Sequence, residues 1–476
     1  MKRQHNRIRS ASGAVVAAGA ALLSAGVSGF ATSGGAAPTR VGEPTQEDLV
    51  NLGKRLFHDK TLSNPPGMAC VTCHAPETGY SYPNSAVNWL LGEVPGAVKG
   101  RFGNRKPPSL AYATYLPPGP PHYDADARAY VGGLFWDGRA NDAISQVKSP
   151  MVNPNEMNDR DSHGASVEMI VRKVANGPSG KFFRTVFGQQ VFSKPAAEVF
   201  SLVAKAIVAY EASPEVSPFT SKYDAYLAGK ARLTPQELLG LRLATGTLNG
   251  RPNGIPFKKS AHCMDCHALS ADRSRAPDLW TNSCYANLGV PRNPLNPFYS
   301  MTQASRNSAG VNRDGARYVD LGLGGYVYAS LGLPEGSLEG SDPLRINGLF
   351  KAPSLRNVDK RPYPGFVKCY MHNGFFKSLK SVVHFYNTRN LTTYPGEVID
   401  FTRPDPYAEL KGKPLWPKPE DMDPITLINP AGQPAGGTVR NPKNAIPSDP
   451  DADEIGDLKL NDSQEDDIVA FLKTLS

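Results

Sequence analysis

The chain has 476 residues, 52 basic against 44 acidic, and a formal charge of +8, with 40% of its residues hydrophobic. That length exceeds one ordinary core, so two domains are the prior expectation. A charge this mild argues against nucleic acid as a partner. In chain order, Lys2, Arg3, Arg7 and Arg9 precede a Gly/Ala-rich apolar stretch from Ala14 to Phe30, and Gly29-Phe30-Ala31 places small residues at both cleavage positions. Residues 1–31 thus have the pattern of a secretory signal peptide. An uncleaved anchor is the alternative, but the stretch is weakly hydrophobic and lies at the lower length limit for a span. Cleavage leaves a charge of about +4, compatible with docking an acidic partner and equally with an ordinary mixed surface. No other segment is apolar enough to span a membrane, so a soluble periplasmic protein is expected.

Thr45-Gln46-Glu47-Asp48 and Thr234-Pro235-Gln236-Glu237 each pair an N-cap threonine with an acid three residues later, which predicts a helix start. Each predicted helix runs toward a C-x-x-C-H signature, Cys70-Val71-Thr72-Cys73-His74 and Cys263-Met264-Asp265-Cys266-His267. Two thiols at this spacing can form thioethers to haem vinyl groups, and the adjacent histidine can ligate iron. A four-thiolate zinc ribbon is the bland alternative, but its pairs lie tens of residues apart rather than almost two hundred. Two covalently bound haem c groups are therefore expected on Cys70, Cys73, Cys263 and Cys266, with His74 and His267 as iron ligands.

Further landmarks recur in the same order. Pro108-Ser109-Leu110 matches Pro353-Ser354-Leu355, the turn-like triplet Trp136-Asp137-Gly138 matches His372-Asn373-Gly374, and Ile207-Val208-Ala209-Tyr210 matches Ile468-Val469-Ala470-Phe471. Five coincidences in one order predict an internal duplication. The expected fold is mostly α, with two cytochrome c-like haem domains at 40–222 and 223–476. Pro/Gly-rich segments at about 291–345 and 389–460 read as long irregular loops.

The sequence resembles the bacterial dihaem cytochrome c peroxidase family, in particular its MauG-like branch. The resemblance is carried by Leu52-Gly53-Lys54-Arg55-Leu56-Phe57, Phe135-Trp136-Asp137-Gly138-Arg139, Phe350-Lys351-Ala352-Pro353-Ser354-Leu355-Arg356-Asn357 and Tyr370-Met371-His372-Asn373-Gly374. It implies peroxide chemistry at the N-terminal haem and electron storage or relay at the C-terminal one. Trp136 is implied between the haems, with Gln146, Pro150 and Glu156 around the peroxidatic iron. Independently of the family, a partly buried carboxylate such as Glu156 can take a proton from bound peroxide and return it to the leaving oxygen. Gln146 can donate a hydrogen bond to developing charge.

Departures from the family pattern sharpen the expectation. The blocking histidine of classical members is replaced by Asn88-Trp89-Leu90-Leu91, and neither His122 nor His163 sits in a matching context. Fourteen residues after His372, where peroxidases carry methionine, stands Tyr386. Tyr386 is expected to ligate the second iron, with Met371, His372 and His384 competing by type. The resemblance keeps His372 near the second haem without ligating it. Tyr285-Ala286-Asn287 lacks a histidine that relatives carry, and Lys106 follows Arg105 where relatives offer an asparagine, which puts calcium in doubt. Cys284 and Cys369 are expected to form a disulfide, with two buried thiols as the alternative.

The resulting expectation is an enzyme that uses hydrogen peroxide. Its other partner would be a small redox protein, cytochrome c or cupredoxin, or an oxidised protein substrate. A dihaem electron carrier without catalysis is the alternative.

Overall fold

The structure, a computed structural model, describes residues 43–476 except 126, 128, 162–163, 271–276, 303–311, 313, 332–345, 390–415, 417–419 and 421–454. The signal-peptide expectation, His163 and most of the segment 389–460 lie outside the described residues, whereas the described part of 291–345 is not wholly irregular, since it holds a helix at Leu323–Leu331. The remainder is mostly helical, and residues 40–476 form one compact unit. Its strands are short antiparallel pairs: His122–Asp124 with Ala129–Val131, Arg160–Asp161 with Gly164–Ala165, and Tyr285–Ala286 with Phe350–Lys351. No helix of the described residues is long and apolar enough to cross a membrane.

Helix α1 (Gln46–Phe57) starts at the expected capping box, with Thr45 accepting from the Asp48 amide and Asp48 capping the Thr45 backbone. It buries Leu52, Leu56 and Phe57 completely, each contributing about 1.5–3 kcal/mol. These side chains pack on α4 (Ala196–Glu211), which follows α2 (Ala143–Val152) and α3 (Val167–Asn176). The crossing is close because Gly53 has no side chain: a Cβ there would lie 1.9 Å from the Ala206 carbonyl oxygen.

The second half repeats this crossing. Helix α5 (Pro235–Thr245) begins with the Thr234–Glu237 capping box and packs on α7 (Asp462–Lys473), while α6 (Leu379–Thr388) lies against α7. A Cβ on Gly240 would lie 1.9 Å from the Asp467 carbonyl oxygen. One hydrophobic core runs from Leu49 to Val216 and another from Tyr223 to Leu475.

The Pro-Ser-Leu landmarks acquire a physical meaning. Ser109 Oγ donates to Gly79 O and Ser354 Oγ to Leu279 O, each at 2.6 Å. The following leucine amides donate to Tyr80 O at 3.2 Å and Trp280 O at 3.3 Å. Tyr80 and Trp280 both hold positive φ, 59° and 55°, a conformation unusual for bulky residues that the leucine bonds help to hold.

The two turn triplets match as well. Each is flanked by an antiparallel bridge, Leu134 to Ala140 and Tyr370 to Phe376. Each has positive φ just before its first residue, at Phe135 (66°) and Met371 (64°), and again at its glycine. Asp142 and Ser378 then cap α2 and α6.

Candidate active site

Each C-x-x-C-H segment forms one wall of a cavity. The first cavity, about 1040 Å³ including its mouth, is lined by Cys70, Cys73 and His74, and by Trp136, Gln146, Pro150 and Glu156. The second, about 610 Å³, is lined by Cys266 and His267, and by Met371, His372 and Tyr386. Trp136 borders both cavities.

The histidines are prepared as ligands by the local backbone. His74 Nδ1 lies 3.0 Å from Tyr80 O and His267 Nδ1 lies 3.1 Å from Trp280 O. A carbonyl only accepts, so Nδ1 carries the hydrogen and Nε2 keeps its lone pair. Those are the carbonyls that the Pro-Ser-Leu segments hold. Burial lowers both imidazoles to about 4, which keeps them neutral. Burial likewise pushes the Cys70 and Cys263 thiols up to about 12. Neutral imidazoles beside paired thiols, each set at a cavity wall, fit a covalently held haem on each side.

The far side of the first cavity carries a buried carboxyl. Glu156 Oε1 accepts from Asn153 Nδ2 at 2.7 Å, and burial raises its carboxyl above the usual range against the opposing charge of Arg139. Gln146 and Pro150 reach the cavity from α2. His122 is exposed on its strand and is not a lining residue. Asn88 donates to Tyr82 O and Val367 O, and Leu90 is exposed, so that segment offers the cavity no donor atom.

Fourteen residues separate Trp136 from Pro150 and His372 from Tyr386. The two turns and the helices after them match, so Pro150 and Tyr386 stand at corresponding positions in chain order, each lining its own cavity. Proline has no donor atom to offer. Tyr386 is flanked by Cys263 and Cys266, and burial raises its phenol strongly. His384, a competitor by type, points elsewhere and pairs with Glu465 at 2.9 Å. Met371 and His372 do line the second cavity, and His372 stacks flat on Phe350 with ring centroids 3.5 Å apart.

Backbone bonds lock the two halves together around Trp136. The indole Nε1 donates to Lys106 O at 2.9 Å, Lys106 N donates to His372 O at 2.8 Å, and Lys351 N donates to Trp136 O at 2.9 Å. Beside them Arg105 bridges Asp137 at 2.6 Å and Asp320 at 2.7 Å. Burial would raise both acids, and the guanidinium overturns this and lowers them. The Lys106 ammonium sits 5.7 Å from the Trp136 ring centre and 3.2 Å from Pro107 O. Burial lowers its pKa while Cys369 and Glu93 oppose the shift.

The expected disulfide is not made. Cys369 Sγ lies 3.6 Å from Asn88 Oδ1 and Gly92 O, whereas Cys284 faces Cys266, the thiol of the second signature. An even count of leftover cysteines says nothing about where they fall in space. Sequence reasoning also missed Met151 and Met157, which line the first cavity. A methionine among core hydrophobics gives no separate signal. Glu211 and Arg139 line it too, and Glu420 lines the second cavity.

Comparison with known proteins follows this geometry. Residues 47–232 match the model of the di-haem cytochrome c peroxidase family. The chain is 31% identical to the methylamine utilization protein MauG of Paracoccus denitrificans over 91% of its own length and 89% of that protein's. It belongs to the di-haem cytochrome c peroxidase family. It is also 28% identical to a cytochrome-c peroxidase of Denitromonas iodatirespirans, over 79% of this chain and 82% of the relative. The crystal structure of the diheme peroxidase BthA from Burkholderia thailandensis is similar at a TM-score of 0.60 and 30% identity, covering 90% and 85% of the two chains. The family is one of oxidoreductases that use peroxide, and it implies two haem groups here.

Proposed function

We propose that this chain is a periplasmic dihaem enzyme that reduces hydrogen peroxide at the first cavity and holds the oxidising equivalents across both haems. Cys70 and Cys73 with His74 would hold one haem c, and Cys263 and Cys266 with His267 the other, in two haem domains that arose by duplication and meet near residues 214–230. When bound, the haems supply the electrons that reduce peroxide. Glu156 takes the proton from one peroxide oxygen and returns it to the other, which leaves as water. Gln146 donates to the oxygen that gathers charge. Trp136 joins the two cavities as the path between them. Tyr386 would supply an oxygen ligand to the second iron, which would favour its oxidised state. The equivalents are then quenched by a protein substrate, as the MauG likeness suggests, or by a small redox protein.

The observation that carries this reading is Pro150 at the chain position that corresponds to Tyr386 in the other half. With no donor atom of its own, it would leave room for peroxide at the first haem. Low-temperature electron paramagnetic resonance of the diferric protein tests it: one high-spin and one low-spin signal are expected. The electron-carrier reading keeps a foothold in Met151 and Met157, and two low-spin signals would establish it.

A further inference from the structure

Beside the second cavity lies a phenol hydrogen-bonded to a carboxylate. Tyr299 sits in a short helical turn, Pro297–Ser300, and is buried at 8% exposure. Its hydroxyl donates to Glu420 Oε1. Glu420 is itself a wall of the second cavity, where Oε2 lies 3.8 Å from His372 Nε2. Neither of those two atoms has a hydrogen-bond partner among the described residues. On the other side of the ring, the Arg292 guanidinium carbon stands 3.8 Å from the ring centre, and Arg292 is partly exposed. Surface, aromatic ring, carboxylate and cavity thus form one continuous line.

We propose that Tyr299 is a redox relay that passes single electrons from an external donor to the second haem, with Glu420 holding its proton meanwhile. This rests on the peroxide reading above, which supplies the oxidant. Loss of an electron alone would leave a positive ring against a guanidinium, and like charges at this separation repel strongly in a buried site. Electron loss therefore goes with proton loss. The phenol O–H breaks, its electron goes to the oxidised haem of the second cavity, and its proton goes to Glu420 Oε1. A neutral phenoxyl and a neutral carboxylic acid remain. One electron from the donor restores the phenolate, which takes the proton back.

Tyr370 also meets a carboxylate, Asp359 at 3.4 Å, but Asp359 does not line the second cavity as Glu420 does. Two further tyrosines nearby face no carboxylate among the bonds of their hydroxyls. Tyr285 donates to the Gly132 carbonyl at 2.7 Å, and Tyr318 receives a bond from the Asn104 amide at 3.0 Å. A backbone carbonyl and an amide N–H are poor proton acceptors.

The test uses the full, haem-loaded chain with ring-deuterated tyrosine, frozen at intervals after peroxide and read by electron paramagnetic resonance. A radical whose lines narrow on deuteration is expected, absent in Tyr299→Phe and reduced about tenfold in Glu420→Gln. Haem content and the resting spectrum should match the parent in Tyr299→Phe. Decay of the oxidised state should slow in heavy water for the parent and lose that sensitivity in Tyr299→Phe. A radical of equal yield in Tyr299→Phe overturns the relay, as does the lack of any tyrosine radical when the optical spectrum shows both haems oxidised. If peroxide leaves the optical spectrum unchanged, the peroxide reading fails. Oxidation by ruthenium(III) tris-bipyridine, photogenerated with persulfate as the electron acceptor, then decides the relay through the same signal and the same two variants.

Discussion

The two cavities are built on the same scaffold and differ in what the scaffold presents. In both, a glycine crossing packs the first helix on the last, and a Pro-Ser-Leu segment fixes the carbonyl that orients a histidine. In both, a strained turn leads into a helix that reaches the cavity. That helix offers Gln146 and Pro150 in one half and Tyr386 in the other. In the proposed reading the shared frame sets where the near-side iron ligand would stand, and one position on the far side sets whether a second ligand would exist. The smaller second cavity, closed by a phenol, suits storage, whereas the larger first one, with a raised carboxyl, suits chemistry on a small oxidant.

This contrast can be erased from either side. Pro150→His should give the first half a ligand of its own, remove the high-spin signal and slow the reaction with peroxide by about a thousandfold, or ~4 kcal/mol of barrier. Stopped-flow spectroscopy measures the rate, and an unchanged rate would end the equivalence of positions 150 and 386. Glu156→Gln keeps the shape but removes the base, and about a hundredfold loss in the same rate is expected.

Acidification should mimic that variant in the parent. Glu156 works deprotonated, and burial raises its pKa, so the rate should fall as pH drops through a midpoint above the ordinary carboxylate range. Glu156→Gln should flatten that profile. In the second half, Tyr386→Phe should shorten the life of the oxidised state about tenfold by removing the oxygen ligand, as optical decay would show. The shared frame is tested through stability and not through rate. Gly53→Ala and Gly240→Ala should each cost about 3 kcal/mol in denaturant unfolding, since each methyl would meet a backbone oxygen that cannot swing aside.

Legibility in the sequence followed locality. Both capping boxes were readable because a threonine and an acid three residues on satisfy each other within one turn. Both haem-attachment segments were readable because the chemistry needs its groups adjacent in the chain. Cys284 and Cys369 were misread because pairing depends on three-dimensional approach, and Cys284 turned out to lie against Cys266. Glu420 was invisible because it falls in an aperiodic segment rich in proline, and its role comes only from standing at the second cavity. The Pro-Ser-Leu repeats were visible as pattern, yet their purpose, holding a carbonyl against the histidine, required the structure.

The backbone of Lys106 has a mechanical consequence. Its carbonyl accepts from the Trp136 indole, and its N–H, in the preceding peptide plane, donates to the His372 carbonyl. One residue thus tethers the two turns, and only rotation about its φ or ψ lets either turn move without the other.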